Sequence, residues 1–116
     1  GGSSGDGRRV LVDGLWPRGR GKRELGLHAW MKELAPSTDL RKWFGHDPAR
    51  WLTFRRRYKR ELASSDQRNR LRQLAGMMRK GDVTLVYGAK DKMHNEAVVL
   101  RSVLERIVRS DRRRKA

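Results

Sequence analysis

Two short apolar runs, separated by a long stretch with helical spacing, constrain this fold more than any other feature of the sequence. Residues 9–13 read Arg-Val-Leu-Val-Asp and residues 83–87 read Val-Thr-Leu-Val-Tyr, which is typical of buried strands. Helical patterns lie between the two runs and after the second one. Parallel strands need such crossovers, whereas antiparallel strands can be joined by tight turns. This order predicts a single α/β domain with a small parallel sheet flanked by helices.

The helices are predicted from apolar spacing and from residues that start or stop a helix. An apolar stripe that Pro36 ends comes first, and its members are Leu27, Trp30, Met31 and Leu34. A short helical turn capped by Ser37 or Thr38 is expected next. Three longer helices are predicted over residues 48–63, 66–79 and 95–109.

Two strands are few for a parallel sheet, so a third strand is expected from outside this chain or from a partner molecule. The predicted organisation is a linker or truncated start at residues 1–7, one α/β domain at residues 8–109 and a basic tail at residues 110–116. A missing N-terminal strand would leave one sheet edge unpaired. The chain is therefore predicted to be either a monomer or a dimer through that edge.

The formal net charge of +16, from 29 basic and 13 acidic side chains, favours polyanionic ligands. However, 21 of the 29 basic residues are arginine and the basic residues are spread along the chain, so the composition of a GC-rich genome is an alternative explanation. The sequence contains no cysteine, which excludes disulfides and thiol catalysis and agrees with a reducing cytoplasm. No apolar run approaches the roughly 20 residues that a membrane span needs. A cytoplasmic location without membrane contact is predicted.

Four blocks of the sequence resemble the YeaO-like family, which is catalogued as domain-of-unknown-function family 488. The blocks are VLVDGLWPRG at residues 10–19, LAPSTDLRKWFGHDP at 34–48, FRRRYKREL at 54–62 and LVYGAKDKMHNEAVVL at 85–100. The resemblance implies a small bacterial or archaeal cytoplasmic α/β protein, and it implies no particular activity.

The chain departs from the pattern of this family at two places. Members usually begin with another strand upstream of the first block, where this chain has only Gly1–Gly7, and this departure leaves a possible sheet edge unpaired. Gly14 stands where members usually carry arginine, which removes a cation from the region after the first strand. Longer relatives carry a cysteine and a Cys-His-Arg triplet near the last strand, where this chain has Tyr87 and Asn95-Glu96-Ala97. Thiol chemistry proposed for those relatives therefore does not transfer.

A ligand site is expected beyond the carboxyl ends of the two strands, where open parallel sheets bind their ligands. If the strands are neighbours, the segments after them converge on one rim, and the start of the last helix adds its positive dipole end. The predicted ligand-binding residues are Asp13, Trp16, Arg18, Lys22, Tyr87, Lys90, Asp91, His94 and Asn95. Asp13 and Asp91 should then lie within about 10 Å of each other.

Three functions are open at this stage. The first is binding of a phosphate-bearing ligand, such as a nucleotide, at the rim. The second is a hydrolase or transferase acting on a nucleotide or nucleic acid, with Asp13, Asp91 and His94 as catalytic candidates. The third is a nucleic-acid-binding module that reads phosphates by electrostatics. No metal site and no cofactor are predicted, because neither metal-ligand spacing nor phosphate-loop spacing occurs.

The same residues also have purely structural interpretations. Asp13 can accept hydrogen bonds from backbone N–H groups where the loop begins. Trp16 can fill the core, and His94 with Asn95 can cap the last helix.

Overall fold

The computed structural model describes residues 7–14, 21, 26–88 and 94–115, which form a three-stranded sheet and four α-helices. In chain order the elements are β1 (Arg8–Leu11), β2 (Ala29–Trp30), α1 (Thr38–Phe44), α2 (Trp51–Glu61), α3 (Ser65–Lys80), β3 (Val83–Val86) and α4 (Glu96–Lys115). Short 3-10 turns at Lys32–Leu34 and Pro48–Arg50 precede α1 and α2.

All three strands are parallel, in the order β2-β1-β3. The central strand β1 pairs with β3 from Arg8 and Val83 to Leu11 and Val86. The α/β fold with a small parallel sheet, predicted from the sequence, is confirmed. β3 is an outermost strand among the three that the structure describes. Thr84 is exposed in it, so the strand is less covered than its apolar sequence indicated.

The third strand comes from this chain, so the expectation that it lies elsewhere is wrong. The helix predicted over residues 27–34 is wrong for the same reason, since β2 occupies part of that segment. His28 donates its backbone N–H to Arg9 O at 2.8 Å, and Met31 donates to Leu11 O at 2.9 Å. Pairing with the open edge of β1 satisfies these backbone groups, and this tertiary contact outweighs the helical spacing of the side chains.

The predicted helix starts are confirmed where a polar side chain caps the helix. Ser37 Oγ accepts the Leu40 N–H at 3.2 Å and begins α1. Asp47 Oδ1 accepts the Ala49 N–H at 3.0 Å, and Pro48 takes the next position, where a missing N–H costs nothing.

The last helix runs further than predicted. We expected it to end near Arg109 and to be followed by a frayed tail, but α4 continues to Lys115. Residues 96–115 contain neither proline nor glycine, so no residue type ends the helix earlier. In addition, Arg79 of α3 donates to Asp111 Oδ2 at 2.9 Å and holds this end of α4 against its neighbour.

The hydrophobic core joins the sheet to the apolar stripes of the helices. Residues 10–12, in β1 and directly after it, are fully buried. The rings of Phe44 and Phe54 stack at a centroid distance of 4.2 Å and join α1 to α2. Tyr58 is buried in the same cluster and donates its hydroxyl to the Leu34 carbonyl. These contacts fix the helices against the strands whose ends form the site described next.

Candidate functional site at the carboxyl rim

The carboxyl ends of β1 and β3 lie side by side, which is the condition on which the predicted site depended. Val12 donates its N–H to Val86 O at 3.0 Å, and Gly88 donates its N–H to Asp13 Oδ2 at 2.6 Å. Because the strands point the same way, Asp13 and Gly88, which are 75 positions apart, meet at the carboxyl end of the sheet. We call this end of the sheet the carboxyl rim. It is formed by Asp13, Gly14, Gly88 and the first turn of α4.

A second carboxyl group reaches Asp13 from the first turn of α4. The side chain of Glu96 is hydrogen-bonded to that of Asp13. Burial is the largest influence on Glu96, and together with this hydrogen bond and the negative charge of Asp13 it raises the pKa of Glu96 from 4.5 to about 9. Near neutral pH the Glu96 carboxyl is therefore protonated, and it can donate a hydrogen bond to Asp13.

A cation lies close to the carboxyl pair. The charge of Arg41, on α1, opposes the other influences and lowers the pKa of Glu96. Arg41 Nη1 is 3.5 Å from the place that a Cβ atom at Gly14 would occupy. Gly14 is the position at which the family pattern has arginine, so a guanidinium reaches this region from another element of the fold.

One oxygen of the carboxyl pair is shielded from solvent. Glu96 Oε2 is buried and makes no hydrogen bond within the part of the chain that the structure describes. The rim therefore combines a protonated carboxyl group, a carboxylate and a guanidinium.

The structure brings three other predicted site residues to this end of the molecule in mainly structural roles. Asn95 is 2% exposed, and its Oδ1 accepts the Val98 N–H at 3.1 Å, which confirms the helix-cap interpretation. The His94 ring lies edge-on to Trp51 of α2, at a centroid distance of 5.2 Å. Tyr87 is half-buried and packs against the core.

The remaining predicted site residues lie outside the described residues. They are Trp16, Arg18, Lys22, Lys90 and Asp91. The predicted separation of Asp13 and Asp91 therefore stays a prediction, as do the ligand contacts of the whole set.

Sequence reasoning missed Glu96 and Arg41. An acidic residue directly after an N-cap is a common stabilising choice, so Glu96 drew no attention as a buried group. Arg41 is one of 21 arginines, and nothing in its local sequence indicates that it approaches the carboxyl end of β1. The family pattern was the available signal. Members carry arginine where this chain has Gly14, so a cation supplied by another part of the fold was a reasonable expectation.

Neither a metal centre nor a membrane span is found in the described ranges. No group of three or more histidine, cysteine, aspartate or glutamate side chains there is arranged to hold a metal ion. No helix there combines the length and the apolarity that crossing a bilayer requires.

Comparison with known proteins places these features in a family context. A family model described as "Inactive DUF488-N3 subclade" matches residues 2–116. The uncharacterised protein YeaO of Escherichia coli K12 is 46% identical over 82% of this chain and 81% of its own length. The uncharacterised protein Rv3073c of Mycobacterium tuberculosis H37Rv is 39% identical over 85% of this chain and 81% of its own. No solved structure matches the chain. The resemblance predicted from the four sequence blocks is confirmed.

Proposed function

This chain belongs to the YeaO-like family, domain-of-unknown-function family 488, and we propose that it binds a phosphate-bearing ligand at the carboxyl rim without transforming it. A nucleotide or a similar small anion is the class of ligand that we infer. We also propose a cytoplasmic location, with which a chain without cysteine agrees.

The parallel register of β1 and β3 is the observation that carries this proposal. It brings the segments after both strands to one edge, beside the positive dipole end of α4. Three features then favour an anion: the guanidinium of Arg41, a neutral Glu96 that adds no negative charge, and the field of a chain with net charge +16. The segments that leave the rim also carry basic residues in their sequence, among them Arg18, Lys22 and Lys90.

Binding is favoured over catalysis because Asp13 is already engaged. Its carboxylate accepts the Gly88 N–H and is hydrogen-bonded to Glu96, which gives it a structural role in joining β1, the segment after β3 and α4. His94, the candidate acid, packs against Trp51. The description of the matching subclade as inactive agrees with this choice.

The experiment is a titration with AMP, followed by amide chemical shifts and by calorimetry. Arg41→Gln removes the described cation of the rim, and we expect AMP to bind about tenfold more weakly, or about 1.4 kcal/mol. Arg56→Gln is the matched control, since it removes the same charge from the exposed surface of α2 and should change AMP binding little.

Two results would overturn the proposal. Equal loss of AMP binding in both variants would mean that overall charge, not the rim, attracts the ligand. Release of phosphate or adenine by the wild-type protein would favour the hydrolase or transferase function instead.

A further inference from the structure

A groove between three helices, away from the carboxyl rim, is lined by several cationic side chains. Helices α2, α3 and α4 line this groove, whose volume is about 330 Å³. Its cationic side chains are Lys59, Arg68, Arg72 and Arg106. Arg106 follows Glu96 by nearly three turns of α4, or roughly 15 Å, so the groove and the rim are separate surfaces. We call it the three-helix groove.

Two cations of the three-helix groove, Lys59 and Arg106, repel each other. Burial, followed by the positive charges of Arg55 and Arg106, lowers the pKa of Lys59. Asp111 also lines the groove, but it is ion-paired with Arg79 of α3 at 2.9 Å. The fold therefore brings like charges together without a matching set of carboxylates among the described lining residues, and an anionic occupant would relieve that repulsion.

The floor of the groove is aliphatic. Leu62 and Leu71 are buried there, and Val103 and Ile107 are half-buried beside them. The hydrocarbon stems of lysine and arginine can lie along such a floor while the charged ends remain in water. None of the described lining residues is aromatic, so bases would find no stacking platform and the phosphates would be the recognised part.

The positive surface continues along α4 beyond the aliphatic floor. Arg106, Arg109 and Arg113 are three and four residues apart and line a second, smaller depression with Ser110. At 1.5 Å per residue this row is about 10 Å long. Such a row matches an extended polyanion better than a single phosphate. It also favours a nucleic acid over an acidic peptide with apolar anchors. The arginine row continues beyond the aliphatic floor of the groove, so apolar anchors would find no apolar surface along the row.

We propose that the three-helix groove and the adjoining arginine row of α4 bind the phosphodiester backbone of a nucleic acid duplex without reading its base sequence. Contacts of this kind release counterions, and the logarithm of the affinity falls with the logarithm of the salt concentration by about 0.9 for each phosphate neutralised. The surface is independent of the rim, so it does not rest on the function proposed above.

The test uses fluorescence anisotropy with a labelled 20-base-pair DNA duplex of mixed sequence between 50 and 200 mM KCl. The variant R68Q/R72Q/R106Q removes three cations of the groove, and the control R8Q/R56Q/R60Q removes three exposed cations from β1 and α2. We expect the groove variant to bind at least tenfold more weakly at 100 mM KCl and to lower the salt slope by about 2 to 3. The control should lose less than threefold, and Arg41→Gln should bind like the wild type.

Circular dichroism is used to check that both variants are folded before their binding is compared. Equal losses in the two triple variants would overturn the proposal, because binding would then follow net charge alone. It would also be overturned if the groove variant bound the duplex normally and lost affinity only for polyglutamate, which would assign the groove to acidic peptides.

Discussion

The carboxyl pair at the rim is the residue-scale feature with the clearest chemical consequence. Asp13 and Glu96 come from the end of β1 and the start of α4, and their contact requires one of the two groups to hold a proton. The protonated Glu96 then acts as a donor that holds α4 against the sheet, while Asp13 holds the segment after β3 through Gly88. A pair in which both groups were ionised would repel and loosen this junction.

This protonation links the stability of the fold to pH. The pKa of Glu96 rises from 4.5 to about 9 on folding, so its stabilising contribution is complete below about pH 4.5 and is lost as pH rises toward 9. Glu96→Gln keeps a neutral donor at every pH. Relative to this variant, the wild type should lose free energy of unfolding between pH 5 and 9, by at most about 1.4 kcal/mol per pH unit. Urea denaturation at several pH values measures the difference.

Glu33→Gln, at an exposed glutamate, is the matched control and should follow the wild-type curve. Groups shared by all three proteins cancel in the comparison. If the free energies of unfolding of the wild type and Glu96→Gln changed in parallel with pH, Glu96 would not hold a proton in the folded state near neutral pH.

At the scale of elements, a carboxylate joins α1 and α2. Glu61, at the end of α2, is hydrogen-bonded to Ser37, the residue that caps the start of α1. Glu61 accepts the Ser37 N–H through Oε1 at 2.8 Å and the Ser37 hydroxyl through Oε2 at 2.6 Å. Ser37 Oγ in turn accepts the Leu40 N–H. The cap was predicted from local sequence, whereas its partner 24 positions away was not, because only the packed fold brings the two together.

Removing either member of this junction should destabilise the fold. We expect Glu61→Ala to cost about 1–2 kcal/mol of unfolding free energy, since two hydrogen bonds to a charged group are lost. Ser37→Ala should cost about 1 kcal/mol or more through the lost cap. Because the residues share bonds, the double variant should cost less than the sum, by at least about 0.5 kcal/mol in urea denaturation. Arg56→Ala, on the exposed surface of α2, is the control, and strictly additive losses for the pair would contradict the junction.

At the scale of the whole molecule, the sequence predicted what local patterns determine and missed what depends on tertiary contact. The β-branched runs at residues 9–13 and 83–87 indicated parallel strands, and the order of the elements indicated their common direction. β2 has only two residues and carries helical spacing, so pairing with β1 was not visible in it. Likewise the burial of Glu96 follows from how α4 meets the sheet, which no local pattern contains.

The net charge of +16 is a property of the entire chain and predicts how salt changes its stability. Like charges repel more strongly in the compact state, and salt screens this repulsion over about 10 Å at 0.1 M. Raising NaCl from 20 to 300 mM should therefore increase Tm in scanning calorimetry by roughly 4–8 °C, the equivalent of about 1 kcal/mol. R8Q/R56Q/R60Q, with three fewer cations, should gain less from the same salt. A Tm independent of salt would mean that the arginines are already neutralised within the fold.

Phosphate separates screening from binding in the same measurement. At matched ionic strength, screening predicts equal Tm values in phosphate and chloride, whereas an anion bound only by the folded state adds stability that grows with its concentration. We expect phosphate to raise Tm beyond chloride in the wild type and in Arg56→Gln, because the guanidinium at the rim remains in both. Arg41→Gln should lose most of this additional increase while keeping the increase due to NaCl. If all three proteins responded equally to phosphate, the anion would act elsewhere on the surface, and the three-helix groove would be the next place to look, since R68Q/R72Q/R106Q would then remove the effect.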